Sequence, residues 1–461
     1  MGVCGTAMGN AALLARAAGH EVVGADQGVY PPMSDVLSAA GITVHAGYDP
    51  ARLQTLAPDL VVIGNAMSRG NAEVEWLLDG GTLAFTSLPA FLHDHVLHGR
   101  RNLVVAGTHG KTTTTALAAF LLRAAGKDPG FLIGGVPLDP PTGHHLGAAA
   151  DPFVIEGDEY DSAFFDKRSK FIHYAPRVAI LNNLEFDHAD IFRSLGDIQL
   201  AFQRFVNLIP RNGLLLANGD EPNLQALLGV RHCPVRRFGL GDANEIRATG
   251  IVLKPEASEF VLGDTRFEVP MVGELNVRNA LAVAACARHC GLDDARIRAA
   301  FASFRGVARR MEVRGEAGGV AVVDDFGHHP TAIRETVRAL RVRFPGRRLW
   351  AVFEPRSNTT RRNVFQTELV DALERADLVV VAEVARLEQL KPDERLNPER
   401  LMQDLRRTGK PSAYLPTVDA IVDHVGREAR PGDVVCVFSN GGFGGIHDRL
   451  LQRLGAGQKA P

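Results

Sequence analysis

No apolar run in this sequence approaches the roughly 20 residues that a helix needs to cross a bilayer. That excludes a helical membrane span. Cysteine is scarce: Cys4, Cys233, Cys286, Cys290 and Cys436 are five in number and scattered, which excludes a disulfide scaffold. No C-x-x-C pair occurs, so Cys286 and Cys290, on one predicted helix, read as buried packing rather than as metal ligands. Free thiols fit a reducing cytoplasm. Excess charge is missing too: 51 Lys and Arg face 53 Asp and Glu, a formal net charge of −2. Such balance argues against a general affinity for nucleic acid or for an anionic membrane. No repeat of solenoid period is visible.

What is present is an ordinary globular composition, 46% hydrophobic and 23% charged, in 461 residues, enough for about three domains. Val/Ile/Leu-rich runs at 59–65, 102–107, 153–158, 178–184, 319–326, 349–355, 377–383 and 433–440 alternate with helix-like segments. The pattern predicts an α/β fold with mostly parallel sheets, whose ligands bind beyond the carboxyl ends of the strands. Polar stretches at 98–102 and 304–312 divide the chain into 1–100, 101–310 and 311–461. The first and third divisions read as Rossmann-like and the second as a P-loop ATPase-like domain. Residues 230–272 are expected to add short, partly antiparallel strands at the edge of the middle domain, and 455–461 to fray.

The opening Met1-Gly2-Val3-Cys4-Gly5-Thr6 formally matches an N-myristoylation pattern, and Cys4 stands where a lipoprotein would carry one. A lipoprotein signal needs charged and apolar segments before that cysteine, and three residues cannot supply them. The stretch reads instead as a glycine turn entering a helix over 10–18, followed by a strand over 20–26. Glycines there allow close backbone approach to phosphate at a helix N-terminus. The chain is expected to begin at the end of a first strand.

The strongest local signal is Val104-Val-Ala-Gly107-Thr108-His109-Gly110-Lys111-Thr112-Thr113-Thr114, a strand, a tight loop and a helix start. Its glycines let backbone N–H groups curl around phosphate, Lys111 would neutralise the outer phosphates, and the Thr112 hydroxyl would bind Mg²⁺. The strict pattern lacks its first glycine, which falls at Val105. Glu156 and His188 follow at two strand ends. A carboxylate beside a P-loop suits Mg²⁺, although a solvated acidic turn and a structural histidine are the plainer readings of each residue alone.

Taken together and in order, Gly107-Thr-His-Gly-Lys-Thr112, Glu156, Asn182-Asn183, Asp187-His188, Asn276-Val-Arg-Asn279, Arg309-Arg310 and Asp324-Asp325-Phe-Gly-His-His-Pro330 resemble the Mur ligases. These are ATP-dependent amide-forming enzymes of cell-wall peptide assembly, and the resemblance covers essentially the whole chain. It implies Lys111 and Thr112 on the triphosphate, Glu156 on one Mg²⁺, His188 on a second, and Asn276 and Asn279 on the adenine side. It further implies that Arg310 reaches the γ-phosphate and that Asp325 couples the C-terminal domain to ATP. Gly5, Thr6, Met8, Asp26, Asn65 and Ser68 would hold a UDP-sugar; an NAD site is the rival reading of that first domain. Within the family, the stretches 30–34, 64–71, 159–171, 354–358 and 439–447 resemble the branch that joins UDP-N-acetylmuramate to L-alanyl-γ-D-glutamyl-meso-diaminopimelate in peptidoglycan recycling.

That resemblance makes Arg356, Asn358, Ser439, His329 and the basic run 167–170 candidates for the tripeptide. His188 or His329 could serve as a base for the attacking amine. Four features depart from the family: the missing first strand, Leu275 in place of a histidine, Gly157 in place of an alanine, and no lysine between Phe186 and Arg211. Some relatives carry a carbamoylated lysine in that last interval; the L-alanine-adding branch does not. The rival functions are ligation of free L-alanine, glutamate addition to folate, and, in another class, a P-loop ATPase switch or a non-catalytic nucleotide-binding regulator.

Overall fold

The computed structural model describes residues 1–80, 82–230 and 232–456. Three groups of sheets follow one another along the chain, in the mostly parallel α/β arrangement that the sequence predicts.

The first group is two parallel pairs, Val23–Asp26 with Thr43–Ala46 and Val61–Ile63 with Phe85–Ser87. Residues 1–3 run between them. The Met1 amine donates to Val62 O at 2.8 Å, Gly64 N to Met1 O at 3.1 Å, and Gly2 N to Ala25 O at 2.7 Å. The helix Thr6–Ala17 starts earlier than the predicted 10–18, because Gly5 has the extended backbone of an N-cap.

The central sheet has ten strands, ordered Thr265–Val269, Ser258–Leu262, Ile246–Leu253, Val235–Gly239, Leu214–Asn218, Pro176–Leu181, Asn102–Ala106, Phe153–Gly157, Gly130–Leu132 and His144–His145. Period-2 alternation sends Leu103, Val105, Val154 and Ile180 to one face, under the helices Lys111–Ala124 and Glu274–His289. Val104, Ala106, Ile155 and Leu181 face the other side, under the helix Leu195–Val206. Burial on both faces explains why these strands read as continuous apolar runs. The antiparallel pairs expected within 230–272 do form the sheet's outer edge. Cys286 is buried in the first of these cores, as its sequence context predicts.

The third sheet is ordered Glu312–Ala317, Val320–Asp325, Val434–Phe438, Leu349–Phe353, Leu378–Val381 and Ser412–Tyr414. Only the first pair is antiparallel. Gly455 and Ala456 belong to the closing helix Ile446–Ala456, and the rest of the tail expected to fray lies outside the described residues.

Candidate active site

Three neighbouring central strands, Phe153–Gly157, Asn102–Ala106 and Pro176–Leu181, end side by side and deliver the loops that carry the chemistry. Gly107 has φ +140, and a Cβ there would lie 3.0 Å from Asn183 O. Only glycine lets the loop pass so close to its neighbour. Asn183 then pins the loop in two directions, accepting from His109 N at 2.7 Å and donating to His109 O at 3.2 Å. Gly110, at φ +79, abuts Asn279, whose Oδ1 would sit 2.6 Å from an added Cβ. Asn276 and Asn279 are hydrogen-bonded to each other on the helix Glu274–His289; the helix N-cap itself is Gly273, with no side-chain cap. Asn279 is thus packed against the P-loop.

Lys111 does not wait free. Its Nζ donates to Gly107 O at 2.6 Å and to Glu159 Oε2 at 2.8 Å. Burial opposes the charge of Lys111, but Glu159 and Asp158 outweigh it and raise the pKa. Thr112 Oγ1 donates to Glu156 Oε1 at 2.8 Å, and the other oxygen of Glu156 accepts Gly134 N at 2.7 Å. This pair of oxygens beside the P-loop is a donor set that suits Mg²⁺. Thr113 is buried one residue further along the helix.

His188, left-handed at φ 55, places Nε2 3.3 Å from Glu159 Oε1. Asp158, Glu159 and His188 converge closely enough to hold an ion together. The sequence pointed to Glu156 and His188 but missed Asp158 and Glu159, because the end of the strand at Gly157 was not legible to the residue. Burial would lower the pKa of His188, yet Glu159 and Asp187 raise it to about 9. His329, pushed down to about 3 chiefly by burial, is a weak base. The two candidate bases thus lie in opposite settings, His188 favouring its proton and His329 releasing it.

The linker to the third sheet is held tightly. Arg309 and Met311 adopt left-handed backbones, φ 60 and φ 49, on either side of Arg310. Arg309 bonds Asp324, Ser439 O and Gly441 O, while Asp325 accepts Met311 N at 2.9 Å and Gly327 N at 2.8 Å. Burial raises the pKa of Asp325. Arg310 is thereby aimed across the domain gap, with Nη2 3.4 Å from Thr112 Oγ1 and its guanidinium over the Phe326 ring.

The peptide candidates divide. Arg356 keeps a side chain 42% exposed, 3.5 Å from Glu354. Ser439 is fully buried, and its hydroxyl donates to Glu354. Asn358 is likewise engaged, donating to Asp190 at 2.7 Å and accepting from Arg361 at 2.7 Å. His329 caps the helix Pro330–Arg343 and packs against His109, so it lies with the P-loop. The basic run 167–170 is neutralised: Lys167 pairs with Asp161, Arg168 with Asp166, and Lys170 with Asp158.

In the first domain, Gly5 and Thr6 stand exposed at the start of the helix Thr6–Ala17, with no side-chain cap on its N–H groups. Asp26 accepts Cys4 N at 2.8 Å and Gly28 N at 3.0 Å, Met8 packs on Gly64, and Ser68 is exposed. Asn65 reaches the central domain through Asp161 at 3.1 Å.

Three family models match the chain in succession: "Mur ligase family, catalytic domain" over 1–97, "Mur ligase middle domain" over 105–287, and "Mur ligase, glutamate ligase domain" over 309–441. The chain belongs to the Mur ligase family. It is 45% identical to the Escherichia coli (strain K12) UDP-N-acetylmuramate–L-alanyl-γ-D-glutamyl-meso-2,6-diaminoheptandioate ligase, covering 98% of this chain and 97% of that one. A UDP-N-acetylmuramate–L-alanine ligase of Burkholderia thailandensis is 33% identical over 98% of this chain and 97% of its own length. The crystal structure of a murein peptide ligase from Psychrobacter arcticus superposes with TM-score 0.74 at 42% identity, over 98% of both chains.

Proposed function

We propose that this chain joins the lactyl carboxylate of UDP-N-acetylmuramate to the amine of L-alanyl-γ-D-glutamyl-meso-diaminopimelate, at the expense of ATP. The 45% identity to a ligase of that name, against 33% to the L-alanine ligase, carries the choice of acceptor. We assign 1–100 to the UDP-sugar, 101–310 to ATP, and 311–461 to the peptide and to closure on the nucleotide.

The carboxylate attacks the γ-phosphorus, ADP leaves, and an acyl phosphate forms. The tripeptide amine then attacks its carbonyl, and phosphate departs as the amide bond closes. Roughly a tenth of an α-amine of pKa ~8 is neutral at pH 7, so the second step does not depend on a strong base. Lys111, released from Glu159, binds the outer phosphates, and Arg310 reaches over the transferred group to offset its charge. Asn276 and Asn279 back the nucleotide side of the loop, with Gly107, Thr108, His109, Gly110 and Thr113 shaping it. Thr112 and Glu156 would hold one Mg²⁺, and Asp158, Glu159 and His188 a second, lowering the charge on phosphate oxygens. Arg356, standing exposed beside Glu354, offers a guanidinium to a peptide carboxylate. Gly5, Thr6, Met8, Asp26, Asn65 and Ser68 form the UDP-sugar surface. A cytoplasmic location is the reading that the free thiols and the nucleotide substrates support.

ADP formation from ATP, measured with and without UDP-N-acetylmuramate and the tripeptide, tests this reading. A ligase sustains ADP formation over many turnovers only with both present, whereas an ATPase switch sustains it without either.

A further inference from the structure

A second cluster of ligand-type side chains lies away from the oxygens proposed for Mg²⁺. His109 from the P-loop, Glu185 from the loop after the strand Pro176–Leu181, and His329 from the third domain bring one ligand atom each within 4.8 Å of one another. His109 Nε2 lies 3.6 Å from Glu185 Oε2, and His329 Nδ1 lies 3.5 Å from the same oxygen. Bonds of roughly 2.0–2.1 Å meeting at tetrahedral to trigonal angles separate two ligand atoms by about 3.3–3.6 Å. Both separations fall at the upper end of that range without any ion present.

Two further observations point to a ligand. The His109 side chain is 9% exposed, and its Nε2 has no hydrogen-bond partner among the described residues, although it faces the carboxylate. The surroundings also prepare the other two groups. His329 Nε2 donates to Phe186 O at 3.1 Å, which leaves Nδ1 unprotonated; it accepts the capping Thr331 N at 3.2 Å, a bond that an ion here would displace, and stands beside Glu185. The Thr331 hydroxyl donates to Glu185 Oε2 at 2.7 Å and fixes the carboxylate. Such outer contacts are what orient histidine and carboxylate ligands in metal sites. Phe365 covers the His329 ring, with centroids 4.7 Å apart.

We propose that His109, Glu185 and His329 form a binding site for a divalent ion of the zinc class, tying the P-loop to the C-terminal domain. Two imidazoles and one carboxylate favour Zn²⁺ or Co²⁺ over Mg²⁺, which selects oxygen. Three protein ligands leave one position for water. An ion here crosses the interface that must open and close around ATP, so it fixes the domains in the arrangement described above.

The test is a Co²⁺ titration of the full chain in excess Mg²⁺, read by the visible absorption of four-coordinate Co²⁺, with Zn²⁺ as competitor. The site predicts one Co²⁺ per chain, displaced by Zn²⁺, and a Zn²⁺-dependent rise in Tm. His109→Gln and His329→Asn, the latter retaining a capping side chain, lose the absorption. His188→Ala keeps it. Thr331→Val, which removes only the hydroxyl on Glu185, binds Co²⁺ at least about 10-fold more weakly. Absence of the absorption in the wild-type chain overturns the proposal, as does its persistence in folded His109→Gln or unweakened binding in Thr331→Val.

Discussion

Lys111 and Asp433 show how differently two charged residues serve one chain. Lys111 is held by Glu159, which phosphate replaces in the proposed reaction. Lys111→Ala is expected to lower kcat by about 10²–10³-fold in an ADP-release assay, since a charge stabilising the transferred group is lost. Asp433 instead maintains the fold: its side chain, 4% exposed, accepts from Arg348 and from Trp350 Nε1. Burial would raise its pKa, but these donors lower it, so its stabilisation is present above the ordinary carboxylate value of ~3.9 and is lost as pH falls through the depressed one. Asp433→Asn should cost about 2 kcal/mol at pH 7 by thermal unfolding, and the gap from wild type should narrow on acidification below ~3.9. Residue identity alone does not separate such cases. Ser439 and Asn358 looked free to meet a peptide, and each is already spent on a neighbour that lies far away in sequence.

Elements were far more legible. Each of the eight apolar runs holds a sheet strand to within a few residues, because burial on both faces leaves little freedom in composition, although the buried strands Leu214–Asn218 and Gly130–Leu132 lie outside them. The P-loop was legible because its backbone demands glycine at two positions. Gly110→Ala should push Asn279 aside and strain a φ of +79, raising the KM for ATP several-fold while UDP-sugar binding is unchanged, as thermal shift with each ligand would report. What composition could not reveal is the left-handed backbone at Arg309 and Met311, since neither residue type advertises it. Glu312, Asp324 and Asp325 hold the linker in that geometry from the following strands.

At the scale of the molecule, function depends on contacts between domains, and these were the least visible in the sequence. Asp187 accepts from Thr359 at 2.6 Å, Asp190 from Asn358, and Phe165 packs edge-on against Phe85. Each pairs residues from different domains, so no local pattern marks it. Phe164 shows the same: it lies in the central domain yet joins the apolar cluster of the first. Thr359→Val is expected to leave a buried Asp187 oxygen underpaired and to weaken docking of the third domain. Limited proteolysis should then cut the linker near 304–312 faster, while the central domain stays intact.

The most direct measurement of the central claim is a competition. Equal concentrations of L-alanine and L-alanyl-γ-D-glutamyl-meso-diaminopimelate are supplied with ATP, Mg²⁺ and UDP-N-acetylmuramate, and the UDP-linked products are resolved by mass. The account predicts the tripeptide adduct, with a ratio of kcat/KM values strongly in its favour, and a rate of product formation about 10²–10³-fold lower from the Lys111→Ala chain. A product carrying L-alanine alone would contradict it.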